Sequence, residues 1–232
     1  VGSDIIILTA TSDDLNSAAD EQLATVEAVS ASGAAGAVNI ALTAQTEGFS
    51  ITGGASGDTL TGGSGADSFM GFAGADTVTG GGGTDTIILT ATSATLNTAT
   101  DTQLVTVEAV SAAGAAGAVS ITLTAQTEAF SITGGASADT LTGGSGNDSF
   151  MGFAGADTVT GGAGIDTIIL TATSATLNTA TDAQLVTVEA VSAASAAATV
   201  SITLTAQTEG FSITGGASGD TLTGGSGADS FL

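Results

Sequence analysis

The chain copies itself with a period of 81. Asp4, Asp85 and Asp166 open successive copies in Ser3-Asp4-Ile5-Ile6-Ile7-Leu8, Thr84-Asp85-Thr86-Ile87-Ile88-Leu89 and Ile165-Asp166-Thr167-Ile168-Ile169-Leu170. Phe49, Phe130 and Phe211 keep the same spacing, as do Glu27, Glu108 and Glu189, and the stretch 82–151 differs from 163–232 at only 10 of 70 positions. A fold that tolerates such repetition must stack one cross-section on the next, which is the demand of a solenoid or array. Val1 stands where Gly82 and Ala163 stand, and Leu232 where Met70 and Met151 stand. We therefore expect an excerpt of a longer repetitive chain whose two cut faces are stacked upon in the whole molecule.

Within each unit lies a period of nine. Residues 53–88 parse as Gly53-Gly54-Ala55-Ser56-Gly57-Asp58-Thr59-Leu60-Thr61 and three more nonapeptides beginning at Gly62, Gly71 and Gly80; residues 134–169 repeat the block and a third starts at Gly215. The pattern is G-G-x-G-x-D-x-U-x, with U a large apolar residue, in eight complete copies across the two full blocks. Glycine at positions one, two and four permits positive φ, so six residues can make a tight turn, to which the position-six Asp adds a carboxylate. The last three residues suit a short strand with U inward and its neighbours outward. Leu60, Phe69, Val78, Ile87, Leu141, Phe150, Val159 and Ile168 are the expected core. Two nonapeptides make a coil of 18, so Asp58 should stack with Asp76, Asp67 with Asp85, Asp139 with Asp157 and Asp148 with Asp166.

Composition turns this stacking into a problem. The chain carries 23 acids and no Lys, Arg or His, for a formal charge of −23. Of its 16 Asp, 11 occupy the one repeat position, so the counter-charge must come from outside. Carboxylates and carbonyls are the only ligands available, which favours a hard, oxygen-seeking cation, and folding should be coupled to its binding. The same absences exclude much else. Without Lys or Arg, nucleic acid and anionic membrane surfaces are poor partners. Without Cys or His there is no disulfide, thiolate, zinc site or Ser–His pair, and the short apolar runs leave no membrane-spanning helix. Paired Asp carboxylates could in principle serve a glycosidase, but metal binding uses them better, so no enzyme is expected.

In strict register, these nonapeptides resemble the RTX (repeats-in-toxin) calcium-binding proteins, secreted by bacteria, whose motif folds as a parallel β-roll. The resemblance implies Ca2+ in about four complete sites, each held by carbonyls of positions two and four of one turn and one and three of the next. That implicates Gly54, Ser56, Gly71 and Ala73 for Asp58 and Asp76, and Gly63, Gly65, Gly80 and Gly82 for Asp67 and Asp85. In the second block it implicates Gly135, Ser137, Gly152 and Ala154 with Asp139 and Asp157, and Gly144, Gly146, Gly161 and Ala163 with Asp148 and Asp166. Ser56 and Ser137 depart from the position-four Gly, and Phe72 and Phe153 from the position-two Gly; each keeps its carbonyl. Asp220 and Asp229 head a truncated block and should complete sites only with residues past Leu232.

The expected fold is all-β: a parallel β-roll or β-helix solenoid continuing through metal-free spacer coils. Its segments are partial spacer coils at 1–52, blocks at 53–88 and 134–169, spacer coils at 89–133 and 170–214, and the truncated block at 215–232. A separate small β-domain in each spacer is the alternative. Val105, Val107 and Ala109, and then Val119, Ile121 and Leu123, alternate as strands do. Leu96, Val105, Leu123 and Ile132 hold the U register, and Thr98–Gln103 and Asp182–Gln184 suit single helical turns. With coils of 18, the repeat makes about 4.5 coils, which would set successive copies on opposite faces. Met70 and Phe72 are either exposed assembly contacts or covered by spacer loops.

Functionally, these features suggest a calcium-stiffened, secreted or cell-surface structural protein (surface layer, giant adhesin or filament) with self-assembly into rods, fibres or lattices. An accessory β-roll of a type I-secreted hydrolase or toxin is the alternative.

Overall fold

Each nonapeptide ends in three residues with a large apolar side chain at the centre, and in the two full blocks each such triplet is a strand. In a computed structural model, which describes residues 3–217 and 219–232, the chain forms two compact units. One comprises Val1–Leu89 and Ser93–Ser111, the other Thr90–Thr92 and Ala112–Leu232.

The first unit contains β1 (Ile5–Ile7), β2 (Ala28–Ser30), β3 (Asn39–Ala41), β4 (Ser50–Thr52), β5 (Thr59–Thr61), β6 (Ser68–Met70), β7 (Thr77–Thr79), β8 (Thr86–Ile88), β9 (Leu104–Val105) and β10 (Ala109–Ser111). Every pairing is parallel and the strands sort into two sheets, in the orders β1-β2-β4-β6-β8-β10 and β3-β5-β7-β9. Inward side chains stack in two columns: Val29, Ile51, Phe69, Ile87 and Val110 from one sheet, and Ile40, Leu60, Val78 and Leu104 from the other, all at most 1 % exposed. Full burial of such a side chain contributes roughly 1.5–3 kcal/mol. The second unit repeats the plan, with Ser131–Thr133, Ser149–Met151, Thr167–Ile169, Ala190–Ser192, Ser212–Thr214 and Ser230–Phe231 in one parallel sheet. Ser120–Thr122, Thr140–Thr142, Thr158–Thr160 and Leu185–Val186 form another, and Ser201–Thr203 pairs with Thr221–Thr223.

The spacers are coils of the same parallel solenoid. Along the first unit's longer sheet the register runs Ile6, Val29, Ile51, Phe69, Ile87, Val110, in steps of 23, 22, 18, 18 and 23 along the chain. In the second unit it runs Ile132, Phe150, Ile168, Val191, Ile213, Phe231, in steps of 18, 18, 23, 22 and 18. The spacers at 1–52 and 170–214 are thus two wide coils each, and the whole repeat is four coils, not the four and a half expected. The half-coil displacement is therefore absent: β1 and β8, one full repeat apart, share one sheet.

Wider coils also shift the inward register. Leu104, not Val105, is buried; Val105 is 40 % exposed, because the wide coil bends at Thr106, whose φ is +49°. The buried residues there run Leu104, Val107, Val110, so Val110 points inward in place of Ala109. Leu96, Leu123 and Ile132 are buried as expected, as are Val119 and Ile121. The extra residues form 3-10 turns at Leu96–Thr98, Asp101–Gln103, Leu177–Thr179 and Asp182–Gln184, and short helices at Asp13–Asn16 and Asp20–Leu23 in the first copy. No helix among the described residues is long and apolar enough to cross a membrane. Phe72 and Phe153 are buried, so the exposed-contact expectation fails for them. The spacer strap bonds to the turn that holds each: Ser93 donates to the Phe72 carbonyl at 2.9 Å and Ser174 to that of Phe153 at 3.1 Å.

Candidate metal centre

The turns at the two corners of the coil carry the acids. Asp58 and Asp76 immediately precede β5 and β7, and Asp67 and Asp85 precede β6 and β8, so parallel pairing in register places each pair one coil apart. All four are at most 2 % exposed, as are Asp139, Asp148, Asp157 and Asp166.

Six of these carboxylates, all but those of Asp85 and Asp166, are fixed by two kinds of main-chain donor. One oxygen closes its own turn: Oδ2 of Asp67 accepts the Gly63 N–H at 2.8 Å, that of Asp148 the Gly144 N–H at 2.8 Å, and those of Asp76 and Asp157 the N–H groups of Ala73 and Ala154 at 2.7 Å. Asp58 and Asp139 do the same with Gly54 and Gly135. The other oxygen reaches back one coil. Oδ1 of Asp76 accepts the Asp58 N–H at 2.7 Å, and Oδ1 of Asp85 the Asp67 N–H at 2.7 Å. In the second block Asp157 does so to Asp139 at 2.8 Å and Asp166 to Asp148 at 2.7 Å. The four expected pairs are therefore stacked.

Spacer coils enter this ladder, which sequence reasoning missed. Asp58 and Asp139 accept from Val38 and Val119, and Asp67 and Asp148 from Phe49 and Phe130. Asp220 and Asp229 make the same backward bonds, accepting the N–H groups of Val200 and Phe211 of the preceding spacer, both at 2.9 Å. Glu108 and Glu189 continue the ladder forward by accepting the N–H groups of Asp85 and Asp166 at 2.8 Å, and Glu27 does so for Asp4 at 2.6 Å. Their recurrence once per repeat was visible; their offset of 23, instead of 18, hid their role.

The donor set suits a hard divalent ion. Among the described residues no group of three or more acidic side chains is positioned to hold a metal, so an ion here must draw on main-chain carbonyls, as calcium does. The carbonyls are aimed accordingly. A methyl added to Gly62 would run into both Asp67 Oδ2 and the Gly80 carbonyl oxygen, and one on Gly143 into Asp148 Oδ2 and the Gly161 carbonyl oxygen. On Gly53 it would lie 2.9 Å from Asp58 Oδ2 and 3.6 Å from the Gly71 carbonyl oxygen. These are oxygen-lined cradles that only glycine leaves open. Other candidate carbonyls are partly engaged: Gly63 accepts from Gly82 at 2.9 Å, Gly144 from Ala163 at 3.1 Å and Ala154 from Asp157 at 3.2 Å, each with a second lone pair remaining. Gly54, Ser56, Gly65, Ala73, Gly82, Gly135, Ser137, Gly146, Gly152 and Ala163 belong to the same stacked turns. Positive φ, expected throughout, is confined to the last two turns of each block, for example +73° at Gly71 and +111° at Gly81; in the first two, glycine is needed for room.

Electrostatics mark the acids as short of positive charge. Burial raises the carboxyl pKa of Asp67, Asp76, Asp148 and Asp157 above the usual range, against the lowering effect of their N–H bonds. Asp85 and Asp166 rise to about 6, through burial first, with the charges of Asp67 and Glu108, or Asp148 and Glu189, adding to it. Their Oδ2 atoms are buried without a hydrogen-bond partner. Bound calcium would supply the missing charge to these oxygens, and the chain's part is to hold two carboxylates and the turn carbonyls one coil apart.

Searches among curated proteins and among solved structures give no match. The family model described as RTX calcium-binding nonapeptide repeat (4 copies) matches residues 52–87, 133–168 and 212–231, the segments that build the acid-bearing turns. The chain carries RTX nonapeptide repeats, which are of the kind that binds Ca2+.

Proposed function

We propose that this chain is a calcium-stabilised structural protein of the bacterial cell exterior, a component of a surface layer, adhesin or extracellular filament. One observation carries the reading. Within a single unit, two wide coils and two narrow ones bring the repeat back onto the same sheet in parallel register. A chain that closes its repeat on whole coils lengthens by copying, at about 4.8 Å per coil, without changing its cross-section. RTX repeat proteins are typically secreted, and a calcium-rich exterior suits a chain with 23 acids and no Lys, Arg or His. The binding sites for Asp58 with Asp76, Asp67 with Asp85 and their second-block equivalents are proposed as Ca2+ sites on the cradle geometry above. The chain has no general base other than Asp and Glu, and those best placed are committed to the turns, so we assign it no catalysis.

Negative-stain imaging of calcium-loaded protein tests the structural role. Rods or fibres whose length scales with the number of repeats are expected. Compact particles would favour the accessory β-roll of a type I-secreted hydrolase or toxin.

A further inference from the structure

We infer that each nonapeptide block ends in an additional divalent-cation site, in which a spacer coil takes the place of an RTX turn: Asp85 with the Thr106 carbonyl and Glu108, and Asp166 with the Thr187 carbonyl and Glu189. This rests on the calcium reading above and extends it beyond the residues matched as nonapeptide repeats, which end at 87 and 168.

The argument is one of equivalent positions. At the Asp67 cradle, a methyl on Gly62 would meet Asp67 Oδ2 and the carbonyl oxygen of the next coil, Gly80. One coil further, a methyl on Gly80 would meet Asp85 Oδ2 and the carbonyl oxygen of Thr106; on Gly161 it would meet Asp166 Oδ2 and that of Thr187. Thr106 therefore presents its carbonyl where a position-one glycine presents its own. It does so in the left-handed region, at φ +49° in both copies, which a β-branched residue rarely adopts. Its hydroxyl holds that conformation by accepting the Gly81 N–H at 2.9 Å, as Thr187 does for Gly162. Glu108 then stands where the next Asp would stand, accepting the Asp85 N–H at 2.8 Å just as Asp85 accepts that of Asp67 at 2.7 Å. The longer side chain spans the wider coil.

A second observation points to a ligand. Asp85 and Asp166 are completely buried, and their Oδ2 atoms, which border the Thr carbonyls, have no hydrogen-bond donor. A buried carboxylate oxygen without a donor, beside a second carboxylate and a carbonyl, needs a cation, and the chain contains none. Two carboxylates and one carbonyl leave several positions of a six- to eight-oxygen shell to water, which calcium accepts. Asp4, bonded to Glu27 in the same way, is exposed, so it adds no such site.

The test is calcium stoichiometry by equilibrium dialysis on the whole chain, for the wild type, Glu108→Gln, Glu189→Gln and the double variant, with circular dichroism to verify β-structure. Each single variant is expected to bind one ion fewer than wild type and the double variant two fewer. A double variant that binds as many ions as wild type overturns the inference while leaving the Asp–Asp sites intact; a wild type that binds none overturns the calcium reading itself. Should the double variant fail to fold, wild type carrying 13C-labelled glutamate carboxylates gives the answer by calcium-difference infrared spectroscopy. A displaced glutamate band supports the site, and a silent glutamate band beside a displaced aspartate band overturns it.

Discussion

Asp85 reaches back one coil to Asp67, its Oδ1 accepting the Asp67 main-chain N–H at 2.7 Å while its Oδ2 is buried with no donor. One oxygen thus helps to stack the coils, and the other raises the cost of stacking them. A divalent ion bound beside Asp85 removes that cost, so the same residue ties coil formation to calcium.

Replacing Asp85 and Asp166 with Asn separates the two effects. The amide oxygen can still accept the N–H of the previous coil, and the buried charge is gone. Calcium affinity of the adjoining sites should fall by ~10–100-fold, the loss typical when even supporting groups of a metal site are removed. The chelated variant should nonetheless keep more β-structure than chelated wild type. Calorimetric titration and circular dichroism in chelator read the two expectations independently.

Stability without metal should depend on pH in a set direction. Asp85 and Asp166 have a folded-state pKa of about 6 against 3.8 for the free side chain. Below the lower value both states are protonated, and these groups do not oppose folding. Between the two the folded state holds more protons, so stability falls as pH rises, and above about 6 the full penalty applies. Metal-free protein should therefore hold more β-structure at acid pH than at neutral pH. Protons compete for the same oxygens, so calcium affinity should weaken as pH falls through that range. Circular dichroism and calcium titrations across the pH range measure both trends.

Glycines in and out of the cradle should respond oppositely to alanine. Gly62→Ala drives a methyl into Asp67 Oδ2 and the Gly80 carbonyl, and should abolish calcium binding at that pair. Gly33→Ala meets nothing within 4 Å at an ordinary φ, and should be neutral or stabilising by about 0.4–1 kcal/mol. Thermal denaturation of the calcium-loaded variants distinguishes them.

The inward column predicts its own asymmetry. Phe69→Ala removes a ring that is 1 % exposed and should cost about 3–5 kcal/mol. Leu104→Ala should cost about 2–5 kcal/mol, whereas Val105→Ala, on the outer face, should stay within about 1 kcal/mol. Equal losses for Leu104 and Val105 in chemical denaturation would contradict the register.

Where the nonapeptide rule holds, the fold was open to inspection: U residues such as Leu60 and Phe69 are core, and the Asp pairs stack as their spacing of 18 requires. The spacers misled because their length is five times nine, which suggested the same register through Val105. The chain instead spends that length on two wide coils, with Thr106 bending the backbone so that Leu104 faces inward. Glu108 was hidden for the same reason. Phe72 was open to two readings, exposed or covered by a spacer loop, because nothing local in its turn reveals the Ser93 strap that crosses over from the following spacer. Strand identity and turn chemistry are local properties; coil circumference depends on what crosses from one edge to the other.

The most direct test is far-UV circular dichroism of the metal-free chain at neutral pH and constant ionic strength, titrated with calcium and then with chelator. The account predicts little β-signal before calcium, a cooperative rise on its addition and loss on chelation, with magnesium a poor substitute. A full β-signal in chelator, unchanged by calcium, would contradict it.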